Sequence, residues 1–318
     1  MIGPVQIQNF KSIRSIEFEA KRVNLFIGEP NTGKSNILEA LALFSAGTPK
    51  NFKSIFRFRV TADLFYDQKI TNEIKVVAGE WRVAIKFAGT AYTGQFQRAG
   101  VASGSLQMNH QAPQMFSELQ QSPFRYYQFK ALDTFPNPKP GVLSPPFGDN
   151  LATVLYSNEV LRKRIGDLIR SKGYRLQLKP TENELLIAKD LDDELYSYPW
   201  TSVSETLRRV VFYMAVFETN QNATLLLDEP ETNTFPFYTA YLAERIALDE
   251  SNQFFMTTHN PYILGSIVGK TPVKDLAVFV VSMDGFCTKL KPVSVEGLSR
   301  ILDYGPDAFL NLDKLVEA

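Results

Sequence analysis

One cysteine, Cys287, and two histidines, His110 and His259, are all that the chain holds of the residues that most often build structural metal sites. A single thiol cannot close an internal disulfide, and these three side chains fall short of a four-ligand His/Cys zinc centre, which excludes both scaffolds within one chain. Such cysteine usage fits a reducing compartment, and the expected location is the cytoplasm. Long apolar runs are also missing. Runs such as Leu276 to Val281 fall far short of the roughly 18 residues that a spanning helix needs. The opening Met1-Ile2-Gly3-Pro4-Val5-Gln6 has no basic stretch followed by an apolar one, so neither membrane nor export is indicated. Charge of one sign is absent too: 34 Lys plus Arg balance 34 Asp plus Glu. That removes the chain-wide basic excess of many nucleic-acid binders and the acidic excess of a disordered chain.

What is present is a globular composition, 44% hydrophobic and 21% charged over 318 residues, enough for one large domain or two modest ones. The neutrality is a cancellation between regions. Residues 1–60 hold nine Lys/Arg against four Asp/Glu, a balance of +5, and residues 151–180 hold seven against two, again +5. Residues 181–250 hold four against fourteen, or −10. Solvated faces are the ordinary reading of any one such patch, ahead of a binding surface.

Along the chain, Val5-Gln6-Ile7 and Ile16-Glu17-Phe18 alternate as half-buried strands do, and Val23 to Ile27 reads as a buried parallel strand. Ile37, Leu38, Leu41 and Phe44 form one helical face, expected to stop near Gly47-Thr48-Pro49. Leu64 to Tyr66, Ile74 to Val77 and Trp81 to Phe87 read as short antiparallel strands, and residues 100–122 and 134–149 as loops flanking a strand at Arg125 to Lys130. A helix is expected over Leu151 to Ser171, a hairpin over residues 176–187 and a second helix over Val203 to Glu218. Strand, helix and strand follow at Thr224 to Leu227, Tyr238 to Leu248 and Gln253 to Thr257, with late strands at residues 278–281 and 288–290. Neither a repeat nor a sustained heptad appears.

Gly28-Glu29-Pro30-Asn31-Thr32-Gly33-Lys34-Ser35 matches G-x-x-x-x-G-K-[ST] completely, between an apolar strand and an amphipathic helix. Glycines let the backbone wrap so that successive N–H groups, ending at a helix amino terminus, surround phosphate oxygens. Gly28, Asn31, Thr32, Gly33, Lys34, Ser35 and Asn36 are the nucleotide-binding candidates: Lys34 reaches the β and γ phosphates, and Ser35 offers its hydroxyl to Mg2+. Thr224 to Leu227 then deliver Asp228 and Glu229 ahead of Pro230, with Asp228 expected to hold Mg2+ through water and Glu229 to act as general base. His259 follows another apolar strand in the same topological place and is the candidate γ-phosphate sensor. His110, in a Gln/Asn-rich stretch, keeps a structural reading.

These motifs resemble the ABC-type ATPase heads of the RecF, SMC and OLD (overcoming lysogenization defect) group, AAA-family ATP-binding proteins. The likeness opens at Ile7-Gln8-Asn9-Phe10-Lys11-Ser12, runs through Gly28 to Leu41, and resumes at Leu226 to Glu231 and at Thr257 to Leu264. It implies an α/β P-loop NTPase with a mixed sheet, an antiparallel β sub-sheet and a helical lobe. It implies Walker A at Lys34 and Ser35, Walker B at Asp228 and Glu229, a switch histidine at His259, a D-loop at residues 231–234, and Lys11 and Ser12 near the nucleotide. The expected organisation is a single head over residues 1–318: an N-terminal lobe over 1–135, a mainly helical lobe over 145–220, and the Walker B, D-loop and histidine part over 221–318. Family heads dimerise through a signature of the form Ser-x-Gly-x. The nearest match is Ser204-Glu205, without the glycine, so Ser204 is a weaker candidate. Gln128 is either the Q-loop metal ligand or an ordinary strand residue. No heptads stand for coiled-coil arms, and the 59 residues after His259 leave no room for a Toprim nuclease domain, so a stand-alone head is expected.

Three functions compete. The first is a Mg2+-dependent ATPase whose ATP-bound homodimer switches a partner, such as a separate nuclease or helicase, in DNA repair or anti-invader defence. The second is an ATP-gated DNA clamp with negligible turnover, using Arg162, Lys163 and Arg164. The third, a small-molecule kinase, is disfavoured because Glu229 and His259 suit water.

Overall fold

The computed structural model describes residues 1–45, 49–111, 113–116, 122–192 and 194–316. Within them the chain forms two compact units: Met1–Tyr126 with Asn222–Pro230 and Ala243–Ala318, and Tyr127–Gln221 with Glu231–Leu242.

The first unit begins with β1 (Pro4–Phe10) and β2 (Ile13–Glu19), an antiparallel pair in which Val5 faces Phe18 and Ile7 faces Ile16. Then β3 (Val23–Ile27) is buried at all its positions. Next come α1 (Lys34–Ala42) and α2 (Pro49–Ile55), the second unexpected from the sequence. The expected stop of the first helix falls partly outside the described residues, which omit 46–48. The strands β4 (Ile74–Ala78), β5 (Trp81–Ala88), β6 (Ala91–Arg98), β7 (Val101–Met108) and β8 (Pro113–Phe116) follow, and β9 (Phe124–Tyr127) leads out of the unit. A seven-stranded sheet runs β2-β1-β4-β5-β6-β7-β8. Its apolar face packs with Ile37, Leu38, Leu41 and Phe44 of the first helical segment in one core.

Two expectations are corrected here. Leu64 to Tyr66 is not a strand: Leu64 ends one 3-10 turn (Thr61–Leu64), Tyr66 begins another (Tyr66–Gln68), and Phe65 between them makes an isolated bridge with Phe10. The Asp63 carboxylate accepts from the Arg59 and Val60 N–H groups, both at 2.9 Å, and closes the turn. Residues 100–122 are not all loop, because β7 and β8 extend the ladder beyond β6. A polar, glycine-bearing strand is held there by its neighbour rather than by its own propensity. Residues 112 and 117–121 of that stretch lie outside the described residues.

In the second unit, the single helix expected at residues 151–171 is two, α3 (Leu151–Ser157) and α4 (Glu159–Arg170). Asn158 breaks them apart, its side chain capping the second by accepting from Leu161 N–H at 3.0 Å. A three-stranded antiparallel sheet, β10 (Arg175–Lys179), β11 (Glu184–Leu191) and β12 (Glu194–Pro199), precedes α5 (Glu205–Thr219). At 15 residues α5 is the longest helix among the described residues, which therefore contain no coiled-coil arm.

The remaining elements are β13 (Thr224–Asp228), α6 (Pro236–Leu248), β14 (Gln253–Thr257), α7 (Pro261–Lys270), β15 (Leu276–Asp284), β16 (Cys287–Pro292), α8 (Val295–Tyr304) and α9 (Leu312–Val316). They complete a six-stranded mixed sheet ordered β16-β15-β3-β14-β13-β9. The strand β3 pairs in parallel with β14 and β15, β13 pairs in parallel with β14, and β16 runs antiparallel to β15. Residues at the carboxyl ends of β3, β13 and β14 are thus delivered to one edge, where open α/β sheets bind ligands. Among the described residues no helix is long and apolar enough to cross a membrane.

Candidate nucleotide site

The loop after β3 is shaped by backbone conformations that side chains resist. Gly28 and Gly33 have φ of 152° and 97°, and Asn31 has φ of 62°. A Cβ on Gly28 would sit 2.1 Å from the Val281 carbonyl oxygen, and one on Gly33 would sit 2.1 Å from Thr288 Oγ1. Only glycine fits at these two contacts, so the loop is pressed against the β15–β16 hairpin. Thr32 Oγ1 donates to the Glu29 carbonyl at 2.9 Å and ties the loop across itself. Lys34, buried at the start of α1, donates to the Gly28 and Glu29 carbonyls at 3.0 and 2.6 Å. Burial lowers its pKa, against the opposing pull of Glu229, Asp228 and Glu29.

At the neighbouring strand ends, Ser35 Oγ donates to Asp228 Oδ1 at 3.0 Å across 193 residues of sequence. Thr257 Oγ1 donates to the same oxygen at 2.6 Å and accepts from the Glu229 N–H at 3.1 Å. Thr257 therefore locks the end of β13 to that of β14, a role that sequence reasoning missed because threonine ends many strands. Glu229 is left-handed, with φ of 44°, uncommon for a residue with a long side chain. Its Oε1 lies 3.3 Å from His259 Nε2. Asn260 fixes the turn after His259: its side chain accepts from Tyr262 and Ile263 N–H at 2.9 and 3.3 Å and caps α7. Burial and then Lys34 push the His259 pKa below its ordinary value, against Glu229 and Asp228, so its imidazole is neutral near pH 7.

The other flank of the loop is built by Ser12, whose Oγ hydrogen-bonds Thr288 Oγ1 and accepts from Asn36 Nδ2, both at 2.7 Å. Thr288 Oγ1 also donates to the Thr32 carbonyl at 3.0 Å. Lys11, with φ of 49°, pairs with the buried Glu39 of α1, which also accepts from Arg57 Nε at 2.9 Å. Thr288, Glu39 and Arg57 were not anticipated, since bonds between residues so far apart leave no local pattern.

The structure thus assembles Lys11, Ser12, the loop residues, Asn36, Asp228, Glu229 and His259 in the first unit. Gln128 and Ser204 belong to the second. Gln128 follows β9, its N–H bonded to the Pro146 carbonyl at 3.0 Å. Ser204 caps α5 by accepting from Leu207 N–H at 3.4 Å. Glu205 bonds Arg209 at 3.0 Å, and Thr206 Oγ1 donates to the Asn233 carbonyl at 2.9 Å, joining this helix start to the segment over residues 231–234.

The donor set suits a hard, strongly hydrated cation. Ser35 and Asp228 offer two oxygens at one point, and no group of three or more His, Cys, Asp or Glu able to hold a metal occurs among the described residues. That is the pattern of Mg2+ held by one or two protein oxygens with phosphate and water, rather than of an all-protein cage.

Residues 1–92 match the family model described as "AAA ATPase domain", and residues 116–265 the one described as "AAA domain, putative AbiEii toxin, Type IV TA system". The crystal structure of the SmcHead bound to the C-winged helix domain of ScpA aligns with a TM-score of 0.54 at 14% identity, over 94% of this chain and 99% of that one. The SMC head domain from Thermotoga maritima aligns with a TM-score of 0.45 at 15% identity, over 92% and 99%. No curated protein matches the sequence. At its low identity the first of these structural likenesses bears on the fold alone, and that fold is the SMC head. The chain is thus similar in sequence to AAA-type ATPase domains over residues 1–92 and 116–265, and similar in fold to an SMC head.

Proposed function

We propose that the protein binds ATP with Mg2+, hydrolyses it slowly, and uses the ATP-bound homodimer to switch a partner in DNA repair or anti-invader defence. The observation that carries this reading is the convergence of Ser35, Asp228, Glu229 and His259 at the end of one phosphate loop. In it, Lys34 and the loop N–H groups orient the γ-phosphate. Glu229 accepts a proton from the water whose oxygen attacks phosphorus, while the bond to the ADP oxygen breaks. Neutral His259 steadies Glu229 and the departing proton's hydrogen bonds. Ser35 and Asp228 are the residues that would hold Mg2+, which would neutralise phosphate charge when bound.

Dimerisation would set Ser204 of one copy over the nucleotide of the other. Glu205, in the place of the usual glycine, is drawn toward Arg209, and hydrogen bonds from Arg209 and Asn233 lower its pKa. A partner of winged-helix type is a reasonable expectation, by analogy with the SmcHead structure and its ScpA domain. The clamp reading draws less support. The groove of about 680 Å³ beside α4 is lined by Arg162, Lys163, Arg170 and Arg175, but also by Glu159 and Asp190. Arg164, Arg170 and Arg175 pair with Glu218, Asp167 and Asp190, which compensates part of the positive charge that DNA would need. ATP turnover and oligomeric mass, measured together with and without DNA, test the proposal. Absence of both turnover and ATP-dependent association would overturn it.

A further inference from the structure

The sheet order separates the two sides of the phosphate loop. With β3 in the middle, β14 and β13 place Thr257, His259, Asp228 and Glu229 on one side, and β15 and β16 lie on the other. If nucleotide binds as proposed above, its γ-phosphate faces Glu229. The rest of the molecule then leaves the loop past Ser12, Asn36 and Thr288, the three side chains bonded together on the opposite flank.

That flank ends in an overhang. The last pairing of β15 with β3 is Val280 with Ile27, yet β15 continues to Asp284 before the hairpin turns. Four further residues at about 3.3 Å each carry the hairpin roughly 13 Å beyond the end of β3. The overhang is anchored where the Val281 carbonyl meets Gly28 and where Thr288 meets Thr32 and Gly33. Asp284 pairs with Cys287, so Gly285 and Phe286 form a two-residue turn, with φ of 54° and 60°. Such turns favour Asn or Gly at both central positions. Phe286 instead carries a large ring in a left-handed conformation and leaves it 88% exposed, which neither the turn nor the core requires. Tyr66 reaches Cys287, the residue next to Phe286.

We infer that Phe286 is a platform on which the nucleobase of the bound nucleotide stacks. One residue, Cys287, separates Phe286 from Thr288, two steps of extended chain or about 7 Å, which is the scale of the step from the innermost phosphate to the base. Stacking tolerates any base because every base presents a π-face, so this contact sets affinity for the nucleoside part without selecting one base strictly.

The test compares ATP with inorganic tripolyphosphate, which fills the loop but has no base, by calorimetry on the full chain. Phe286→Asn suits the left-handed turn and removes the ring; Phe286→Trp keeps a ring. The expected result is about a tenfold weaker affinity of Phe286→Asn for ATP, unchanged affinity for tripolyphosphate, and wild-type behaviour of Phe286→Trp. Equal ATP affinity in wild type and Phe286→Asn overturns the inference, and so does a parallel loss for tripolyphosphate, which would mean that the loop itself had shifted. A loss of oligomeric mass with ATP affinity intact also overturns it and assigns the ring to a protein contact. Wild type binding neither ligand would overturn the nucleotide reading and this inference with it, whereas wild type binding both equally well would overturn the platform alone.

Discussion

Glu229 is held in a left-handed backbone conformation with its carboxylate 3.3 Å from His259 Nε2, while its own N–H is bonded to Thr257 Oγ1. Strain of this kind persists where the surroundings over-determine it, and the bonds from two strand ends do so here. A carboxylate placed beside a neutral imidazole at the mouth of a phosphate loop is suited to take a proton from water. Glu229→Gln keeps size and hydrogen-bonding but removes the base. Its ATP turnover should fall by about 10²–10⁴-fold with ATP affinity retained, measured by phosphate release and calorimetry on the same preparation. Unchanged turnover would remove Glu229 from the mechanism.

His259 gives the site a direction in pH. Burial, then Lys34, lower its pKa from the usual 6.5. Above about pH 6.5 the residue is neutral in both folded and unfolded chains and costs nothing by titration. As pH falls through that value toward the lowered one, the unfolded chain takes up the proton first, so folding stability declines over that window. The melting temperature should drop more between about pH 7.5 and 5.5 in wild type than in His259→Gln. Turnover should hold steady down through about pH 6.5 and fall only below it. Equal drops in melting temperature for the two proteins would contradict the lowered pKa.

The parts of the site legible in the sequence are those written locally. Gly28 to Ser35 is one contiguous motif, and Asp228 and His259 each follow an apolar run that reads as a buried strand. Illegible were the bonds that unite them, because Thr257, Thr288 and Glu39 are unremarkable in their own neighbourhoods and acquire roles only through strand order. The same holds for the fold. Residues 101–108 carry too much Gly, Ser and Gln to announce a strand, and the backbone ladder with β6 supplies what side chains do not. Asn158 reads as a helix residue until its capping bond to Leu161 shows where one helix ends and the next begins.

Glu39 is 1% exposed and receives Lys11, itself nearly buried, and the largely exposed Arg57. Lys11 precedes Ser12, so this ion pair holds the turn between β1 and β2 against α1 and keeps Ser12 over the loop. Removing the carboxylate leaves the Lys11 ammonium buried with one bond, to the Arg57 carbonyl at 2.8 Å. Glu39→Ala should lower unfolding free energy by about 3 kcal/mol, the scale for breaking a buried pair from one side. Arg57→Ala should cost less than about 1 kcal/mol, because its side chain is mostly in solvent. Urea titration of the two variants checks the ranking, and ATP affinity should fall in Glu39→Ala through the released Ser12.

Ser204 separates helix capping from dimer formation. Its Oγ accepts from Leu207 N–H, and Glu205 beside it is turned to Arg209, leaving the hydroxyl proton available to a phosphate presented by a second copy. Aspartate caps a helix as well as serine does, whereas alanine costs about 1 kcal/mol. Ser204→Asp should therefore keep wild-type stability while setting a carboxylate against phosphate. In the hydrolysis-deficient Glu229→Gln background, ATP should double the sedimenting mass, and adding Ser204→Asp should return it to that of a monomer with the melting temperature unchanged. Persistence of the ATP-dependent dimer in that double variant would show that Ser204 does not face the nucleotide, and that copies of this chain meet through another surface.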